Sequence, residues 1–364
     1  MIIPKLPAYL TSLGGADYKG LIISLFTLTA MVSRPFSGKI ADKVGRIPVM
    51  MFGAAVCVVM SLIYPFITSV AGFMLLRLVH GFSTGFTPTG LTAYVSDIIP
   101  AERRGEAMGL LGTAGSVGMS LGPSIGGAVA NNFSLDVMFY CSSFFALASV
   151  LILVGTRETL QMRNRFGVKY LKIHKKEVIE PRVLMPCFVM LFYVYAYGTA
   201  FTIMQDFSAY VGLPNEGLPF TVMTVASLSV RLIAGKASDR YGRKEVLLVS
   251  MIVAAVGLTM LGLSTKPFHL LAAVAVYGLA HGMSSPTLFA WATDLSDPEN
   301  RGKGISTLYI FMEMGIGIGA LAGGAIYGND SSNFLTAFFV CAFLTMVAFL
   351  YLVFLKSRSK RSVV

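Results

Sequence analysis

Eleven mostly apolar stretches, each about twenty residues long, divide almost the whole chain between them. They run near 17–37, 48–68, 70–96, 105–129, 136–155, 183–210, 216–235, 246–264, 268–293, 303–327 and 333–355. The hydrocarbon core of a bilayer, about 30 Å thick, takes roughly 20 helical residues to cross. The pattern therefore predicts an all-α membrane protein with about eleven transmembrane helices. Composition agrees: 55% of the 364 residues are hydrophobic and 13% are charged, about half the charged fraction of a soluble domain. A soluble enzyme, a disordered chain and a disulfide scaffold are all disfavoured. Cys57, Cys141, Cys187 and Cys341 each lie inside an apolar run without metal-ligand spacing, and read as free packing thiols.

The formal net charge of +11 would suggest nucleic acid in a soluble protein, so the positions of the charges decide its meaning. If the 38–47 connection faces the cytoplasm, all Lys and Arg except Lys5, Lys19, Lys266 and Arg77 share that side, 25 of the 29. That is the positive-inside bias of a multi-pass membrane protein. It accounts for the charge without a nucleic-acid partner. It also places the C-terminus in the cytoplasm and the protein in the cell membrane, which is the inner membrane of a bacterial cell. The basic connection 156–182 reads as a solvated linker touching anionic headgroups.

A shift of 197 residues lays the chain on itself. Arg34 falls on Arg231, Gly38-Lys39 on Gly235-Lys236, Asp42 on Asp239, and Gly45-Arg46 on Gly242-Arg243. The same ungapped register places Gly81 on Gly278, Asp97 on Asp294, and Arg104-Gly105 on Arg301-Gly302. It then places Gly118, Gly122, Gly126 and Gly127 on Gly315, Gly319, Gly323 and Gly324. Each repeat holds an even number of spans, so the two halves keep one orientation and are related by an axis along the membrane normal. The expected organisation is an N-terminal bundle over 1–155, the linker 156–182, and a C-terminal bundle over 183–364.

With these residues, the chain resembles the major facilitator superfamily over nearly its whole length. Gly38 through Arg46 looks like that family's signature loop between its second and third helices, and Gly235 through Arg243 like the echo between its eighth and ninth. The resemblance implies two pseudo-symmetric bundles in a twelve-helix pattern. Eleven spans are present, so Met1 through Leu10 reads as the outer end of a first helix lacking most of its length, from a misplaced start or a truncation. The resemblance also implies a cytoplasmic latch between the halves, made of Gly38, Asp42, Gly45 and Arg46 with Asp97, and of Gly235, Asp239, Arg243 and Asp294. Arg104 and Arg301 are expected in the same two networks.

Other residues stand out by depth. Arg77 lies about seven residues inside its span, roughly 10 Å deep at 1.5 Å per residue, where a charge is costly and should face the interior with a partner. Arg77-Leu78-Val79-His80-Gly81 resembles the family's fourth-helix motif, associated with proton coupling. Snorkelling of Arg77 to the interface is the bland alternative, and a titrating role for His80 stays open. Glu313 sits near the midplane of its span and aligns with Ser116 in the repeat, so no shared scaffold explains it. Its carboxyl suits a group that takes and releases a proton; the plain alternative is a permanently protonated side chain bonded to a neighbouring helix. Asp206, beside Gln205, is a lesser candidate near the outer end of its helix.

Gly118, Gly122 and Gly126, with Gly122-Pro123-Ser124-Ile125-Gly126-Gly127, resemble the fifth-helix motif of the family's efflux (antiporter) branch. Physically they are a stripe of small residues for close helix packing, with Pro123 as a bend. Tyr193, Tyr195, Tyr197, Tyr277, His281 and Trp291 are candidate cavity walls, with packing and interface anchoring as the competing reading. The first expectation is therefore a monomeric secondary transporter without cofactor or metal. It would export a small, amphipathic organic molecule against protons. Uptake of a sugar or other nutrient is the alternative, and a transport-dead or sensory membrane protein the alternative of another class. An enzyme is not expected: His80, His174, His269 and His281 lack ligand spacing, and no ATP-binding loop of the G-x-x-x-x-G-K-[ST] type occurs.

Overall fold

A computed structural model describes the backbone of all residues except 3–4, 16–17, 19–20, 214–217, 329 and 362–364. The side chains at 7, 8, 23, 120, 123, 124, 175, 176, 205 and 357–361 also lie outside the described residues, and with them the expectation for Pro123. The helices are α1 (Leu6–Ser12), α2 (Leu21–Lys43), α3 (Arg46–Ile63), α4 (Val70–Ile98), α5 (Arg104–Asn132), α6 (Leu135–Val154) and α7 (Lys175–Val178). They continue as α8 (Leu184–Tyr210), α9 (Leu218–Tyr241), α10 (Arg243–Gly262), α11 (Pro267–Leu295), α12 (Arg301–Tyr327) and α13 (Phe334–Arg361). Each of the eleven long helices coincides with one of the apolar stretches. Eight described segments are long and apolar enough to cross a membrane by length and composition alone. The helices α4 and α5 fall short because ionisable residues (Arg77 among them) and runs of Gly, Ser and Thr dilute their apolar content.

Two compact units emerge. One comprises Met1–Ile98, Val117–Glu180 and Ser296–Tyr309; the other comprises Ile99–Ser116, Pro181–Leu295 and Ile310–Val364. These units differ from the sequence halves in two segments. The first turns of α5 belong with the second unit, and the first turns of α12 with the first. Within the first unit α4 packs on α2 and α3, and α3 packs on α6; within the second α11 packs on α9 and α10, and α10 on α13. The 197-residue shift converts one set of neighbours into the other, so the repeat is one of packing as well as of motif.

Inside the first unit, Leu6 and Leu10 of α1 join Ile22, Tyr64, Phe73, Leu76, Met138 and Phe139 in one apolar core. The outward faces stay apolar: Leu151 and Ile152 of α6, and Phe343 and Leu350 of α13, are all exposed. In water such faces would aggregate; against acyl chains they cost nothing. The connection 156–182 is more ordered than a solvated linker. Glu158 accepts the backbone N–H of Arg46 and of Ile47, each at 3.0 Å, at the start of α3. Asn164 donates its N–H to the Lys43 carbonyl, Tyr170 is buried with Ile40, Ala41 and Val44, and Lys39 pairs with Glu177 at 2.8 Å. The glutamates of this basic segment fasten it to the first unit.

Candidate functional site

The signature loops build two charged networks from the same parts. In the first unit, α2 ends at Lys43 and α3 begins at Arg46, so Asp42 and Arg46 face each other across a tight turn at Gly45. That glycine has φ +147°, and a Cβ there would strike the Glu158 carboxylate; only glycine fits. Arg46 Nη1 donates to Asp42 Oδ1 at 3.0 Å and Arg46 Nε to Asp97 Oδ2 at 3.0 Å. Asp97 also accepts from Arg301 Nη1 at 2.6 Å and from the Thr159 hydroxyl at 2.8 Å. Asp42 accepts the backbone N–H of Gly302 at 2.6 Å and of Lys303 at 2.8 Å, at the start of α12. A carboxylate on these unpaired first-turn donors is where the helix dipole favours it.

The second unit repeats the arrangement with the partners exchanged. Arg243 bonds Asp239, and its Nε donates to Asp294 at 2.8 Å. Arg104, from the first repeat, donates to Asp294 at 2.9 Å. The N–H groups of Gly105 and Glu106 reach Asp239 at 2.7 and 2.9 Å. Arg104 therefore belongs to the network of Asp239 and Asp294, and Arg301 to that of Asp42 and Asp97. The pairs from loop to helix end stay within a repeat; the Arg-Gly pairs cross between repeats. Gly38 and Gly302 make the close approach possible in one network, a Cβ on Gly38 falling 2.9 Å from the Gly302 carbonyl. Gly235 and Gly105 do the same in the other.

The networks differ in exposure. The side chains of Arg46 and Asp42 are 1% and 2% exposed, those of Arg243 and Asp294 11% and 29%. Burial pushes the Asp42 carboxyl up to about 6, against the pull of Arg46 and of the Lys303 and Gly302 N–H groups. Glu177 is held down by the His174 N–H and by Lys39.

Nearer mid-depth, Arg77 is buried in the first unit. Its Nε donates to the Ile22 carbonyl at 2.9 Å, its Nη1 to Tyr64 Oη at 3.3 Å, and its guanidinium lies 4.4 Å over the Phe26 ring. It does not snorkel. His80 is buried beside it, 3.4 Å from Tyr64 Oη. Glu313 is half-buried in the middle of α12. Asp206 is exposed near the end of α8, beside Tyr327. A cleft of about 320 Å³ against α2 and α4, lined by Leu28, Thr29, Val32, Leu78, Val79 and Phe82, has no ionisable wall and lies apart from these groups.

The glycine stripe packs unevenly. Cβ atoms on Gly122 and Gly126 would meet the Met1 backbone, whereas Gly118 and Gly127 have nothing within 4 Å. Close packing at those two positions is therefore corrected. In the second unit Gly315 and Gly319 lie directly against the α8 backbone at Leu191 and Tyr195. Of the cavity candidates, Tyr193, Tyr197, Tyr277 and His281 gather on α8 and α11, with Tyr193 Oη 2.6 Å from His281 Nδ1. Tyr195 of α8 and Trp291 of α11 are also buried.

Two residues escaped the sequence reading. Arg34 and Arg231, counted only among the cytoplasmic-side cations and as a matched pair of the repeat, are buried at 0% and 4% exposure. Arg34 stacks 4.0 Å from the Tyr309 ring and donates to Thr89 at 3.0 Å. Arg231 donates to Ser116 at 3.2 Å. The available signal was their position, inside apolar stretches 17–37 and 216–235.

Comparison with known proteins covers the whole chain. The family model described as Major Facilitator Superfamily matches residues 1–214 and 187–364. The multidrug resistance protein MdtG of Enterobacter lignolyticus is 26% identical over 96% of this chain and 87% of its own length. The multi-drug resistance efflux pump PmrA of Streptococcus pneumoniae is 26% identical over 90% of this chain and 85% of its own. Among solved structures, the human organic anion transporter MFSD10 superimposes with a TM-score of 0.80 at 18% identity, over 96% of this chain and 88% of that one. A double-tryptophan mutant of XylE gives 0.78 at 13% identity, over 93% and 86%.

Proposed function

The chain belongs to the major facilitator superfamily, whose members are multi-pass membrane transporters rather than enzymes, and on that premise we propose that it exports small amphipathic organic molecules in exchange for protons. The observation that carries the choice of export is the likeness, over 90% or more of the chain, to relatives named for multidrug resistance and efflux. The glycine stripe of α5, similar to the antiporter branch, supports it.

The two charged networks supply the switch. Each pins the first turns of a helix from one repeat to a loop of the other, on the side we assign to the cytoplasm. Releasing Asp42 and Asp97 frees the start of α12; releasing Asp239 and Asp294 frees the start of α5. Alternating access then consists of making and breaking these networks while the substrate is held near mid-depth. Glu313 is the proton carrier in this reading, because a carboxyl in the middle of α12 is costly when charged and is kept for use. Arg77 and His80 form the second polar group at depth, and Asp206 stands near the outer mouth.

The test is flux in proteoliposomes with an imposed pH gradient and a fluorescent amphiphile such as ethidium or a naphthalenesulfonate. Wild-type protein should accumulate one of them, and a protonophore should abolish the accumulation. Glu313→Gln should remove gradient-driven accumulation while keeping the same unfolding temperature in detergent. A Glu313→Gln protein that still responds fully to the gradient refutes the assignment of the proton to Glu313.

A further inference from the structure

In the second unit, a guanidinium near mid-depth has no counter-charge among the described residues. Arg231 is ten residues from the end of α9 at Tyr241, about 15 Å along the helix axis. Its Nη1 reaches the Ser116 hydroxyl at 3.2 Å and its Nη2 that of Ser227 at 3.5 Å, while its Nε has no hydrogen-bond partner. It enters none of the ion pairs of the described residues. Tyr193, Tyr197 and His281 stand within electrostatic reach of it. A buried cation with only two serine hydroxyls is short of acceptors, and such a shortage is expensive in a fold that supplies none.

The two units differ in what covers this arginine. Arg34, the counterpart of Arg231, has its guanidinium covered by the Tyr309 ring at 4.0 Å. The residue aligned with Tyr309 is Gly112. Even a Cβ there would strike Arg231 Nη1. The aromatic cover of one arginine is thus replaced, at the other, by the smallest residue.

An aromatic row leads to this arginine. His281 lies between Tyr193 and Tyr197, its ring 5.2 Å from that of Tyr197 and 15° off parallel. Tyr197 contacts Phe201 at 4.8 Å, and Phe201 contacts Phe220 at 4.9 Å. Burial grades along the row: Tyr193 is fully buried, His281 and Tyr197 are half-buried, and Phe201 is 49% exposed. We propose that this row and Arg231 form the substrate subsite of the second unit, and that the substrate it takes is an amphipathic organic anion. The flat apolar part would lie along Tyr197 and Phe201, and the carboxylate or sulfonate would accept from Arg231 Nε. Aromatic faces take ring systems of either charge; the unpaired guanidinium sets the preference for an anion. The use of the site in transport rests on the exporter reading, but its ability to bind does not.

The experiment is equilibrium binding to purified full-length protein in detergent. The probes are naphthalene-2-sulfonate and a cation of the same ring, trimethyl(2-naphthyl)ammonium. Wild-type protein should bind the sulfonate at least about 10-fold more tightly than the cation. Arg231→Gln should weaken the sulfonate by about 30-fold and leave the cation unchanged or tighter, as expected for removal of a desolvated charge from a charge-assisted contact. Arg231→Lys should recover part of the loss. Arg231→Lys, which keeps a positive charge, also serves as the milder variant if Arg231→Gln unfolds, and should weaken only the sulfonate. Tighter binding of the cation to wild-type protein overturns the proposal, as does sulfonate affinity indifferent to both substitutions. Flux separates this from the exporter reading. Gradient-driven transport of ethidium with no sulfonate binding sinks the anion site alone. Arg231-dependent sulfonate binding with no gradient-driven flux of any probe sinks the exporter reading alone.

Discussion

Asp42→Ala should loosen the start of α12 more than Asp239→Ala loosens the start of α5. The Asp42 carboxylate accepts two backbone N–H groups, at 2.6 and 2.8 Å, and pairs with Arg46 at 3.0 Å. Leaving a buried donor without its acceptor costs about 1–3 kcal/mol, and removing one partner of a buried ion pair about 3–5 kcal/mol. These costs overlap and are relieved when water reaches the loop, so about 3 kcal/mol is a fair figure for the network. That corresponds to roughly 150-fold in the population of the latched state. Asp239 accepts the same pair of N–H groups, at 2.7 and 2.9 Å, but its side chain and that of Arg243 are 9% and 11% exposed, against 2% and 1% for Asp42 and Arg46. Water that reaches this pair lowers the cost to about 2 kcal/mol, so Asp239→Ala should shift its own equilibrium by about 30-fold. Ser306 reports on the first network: it is 1% exposed beneath it, and its hydroxyl bonds the Arg34 carbonyl. With the four native cysteines replaced, Ser306→Cys should react slowly with a small water-soluble maleimide. Adding Asp42→Ala should speed that reaction by about two orders of magnitude, given the 150-fold shift. An unchanged rate, or a larger acceleration from Asp239→Ala, refutes the reasoning.

Two further predictions follow from the same end of the molecule. Asp42 lies beyond the apolar stretch 17–37, and its carboxyl is pushed from an ordinary value of 3.8 up to about 6 by burial. The groups facing it are Arg46 of α3, Lys43 of its own helix end, and the α12 start at Gly302 and Lys303. A raised value means that this state binds the proton more tightly than one in which water reaches Asp42. The stabilisation is full below 3.8 and is lost as pH rises through 6. Alkylation of the Ser306→Cys protein, corrected against an exposed cysteine, should therefore slow from pH 7.5 to 5.5, and Asp42→Asn should flatten the profile. A flat profile with Asp42 intact contradicts it. Gly45→Ala should lower the unfolding temperature in detergent more than Gly242→Ala. Both glycines have positive φ, worth about 1–3 kcal/mol to another residue, but only at Gly45 does the added Cβ also meet Glu158. Equal losses would show that the Glu158 contact gives way without cost.

The helices were legible because a bilayer imposes length and apolarity on every span, and α3, α6 and α11 lie within about five residues of the stretches read for them. The pairing of Arg46 with Asp97 and of Arg243 with Asp294 was legible from the repeat. The crossing of Arg104 and Arg301 was not, because a self-alignment states which residues are equivalent and is silent on which copy supplies a partner. Net basicity concealed the linker's role. Glu158 and Glu177 are few among many cations, yet they make the bonds that fasten the segment. Arg231 was hidden by its neighbours, since Gly235 and Asp239 drew it into a loop motif. Its burial only emerges once α8, α9 and α11 pack together.

The most direct measurement is gradient-driven flux through a protein whose first network can be locked at will. Gly38 and Ser306 face each other so closely that a Cβ on Gly38 would fall 2.8 Å from that of Ser306, and a helix shift of about 1 Å gives disulfide geometry. In protein without native cysteines, Gly38→Cys with Ser306→Cys should transport when reduced, lose transport when oxidised, and recover it with dithiothreitol. Undiminished flux through fully oxidised protein would contradict the claim that transport requires this network to open.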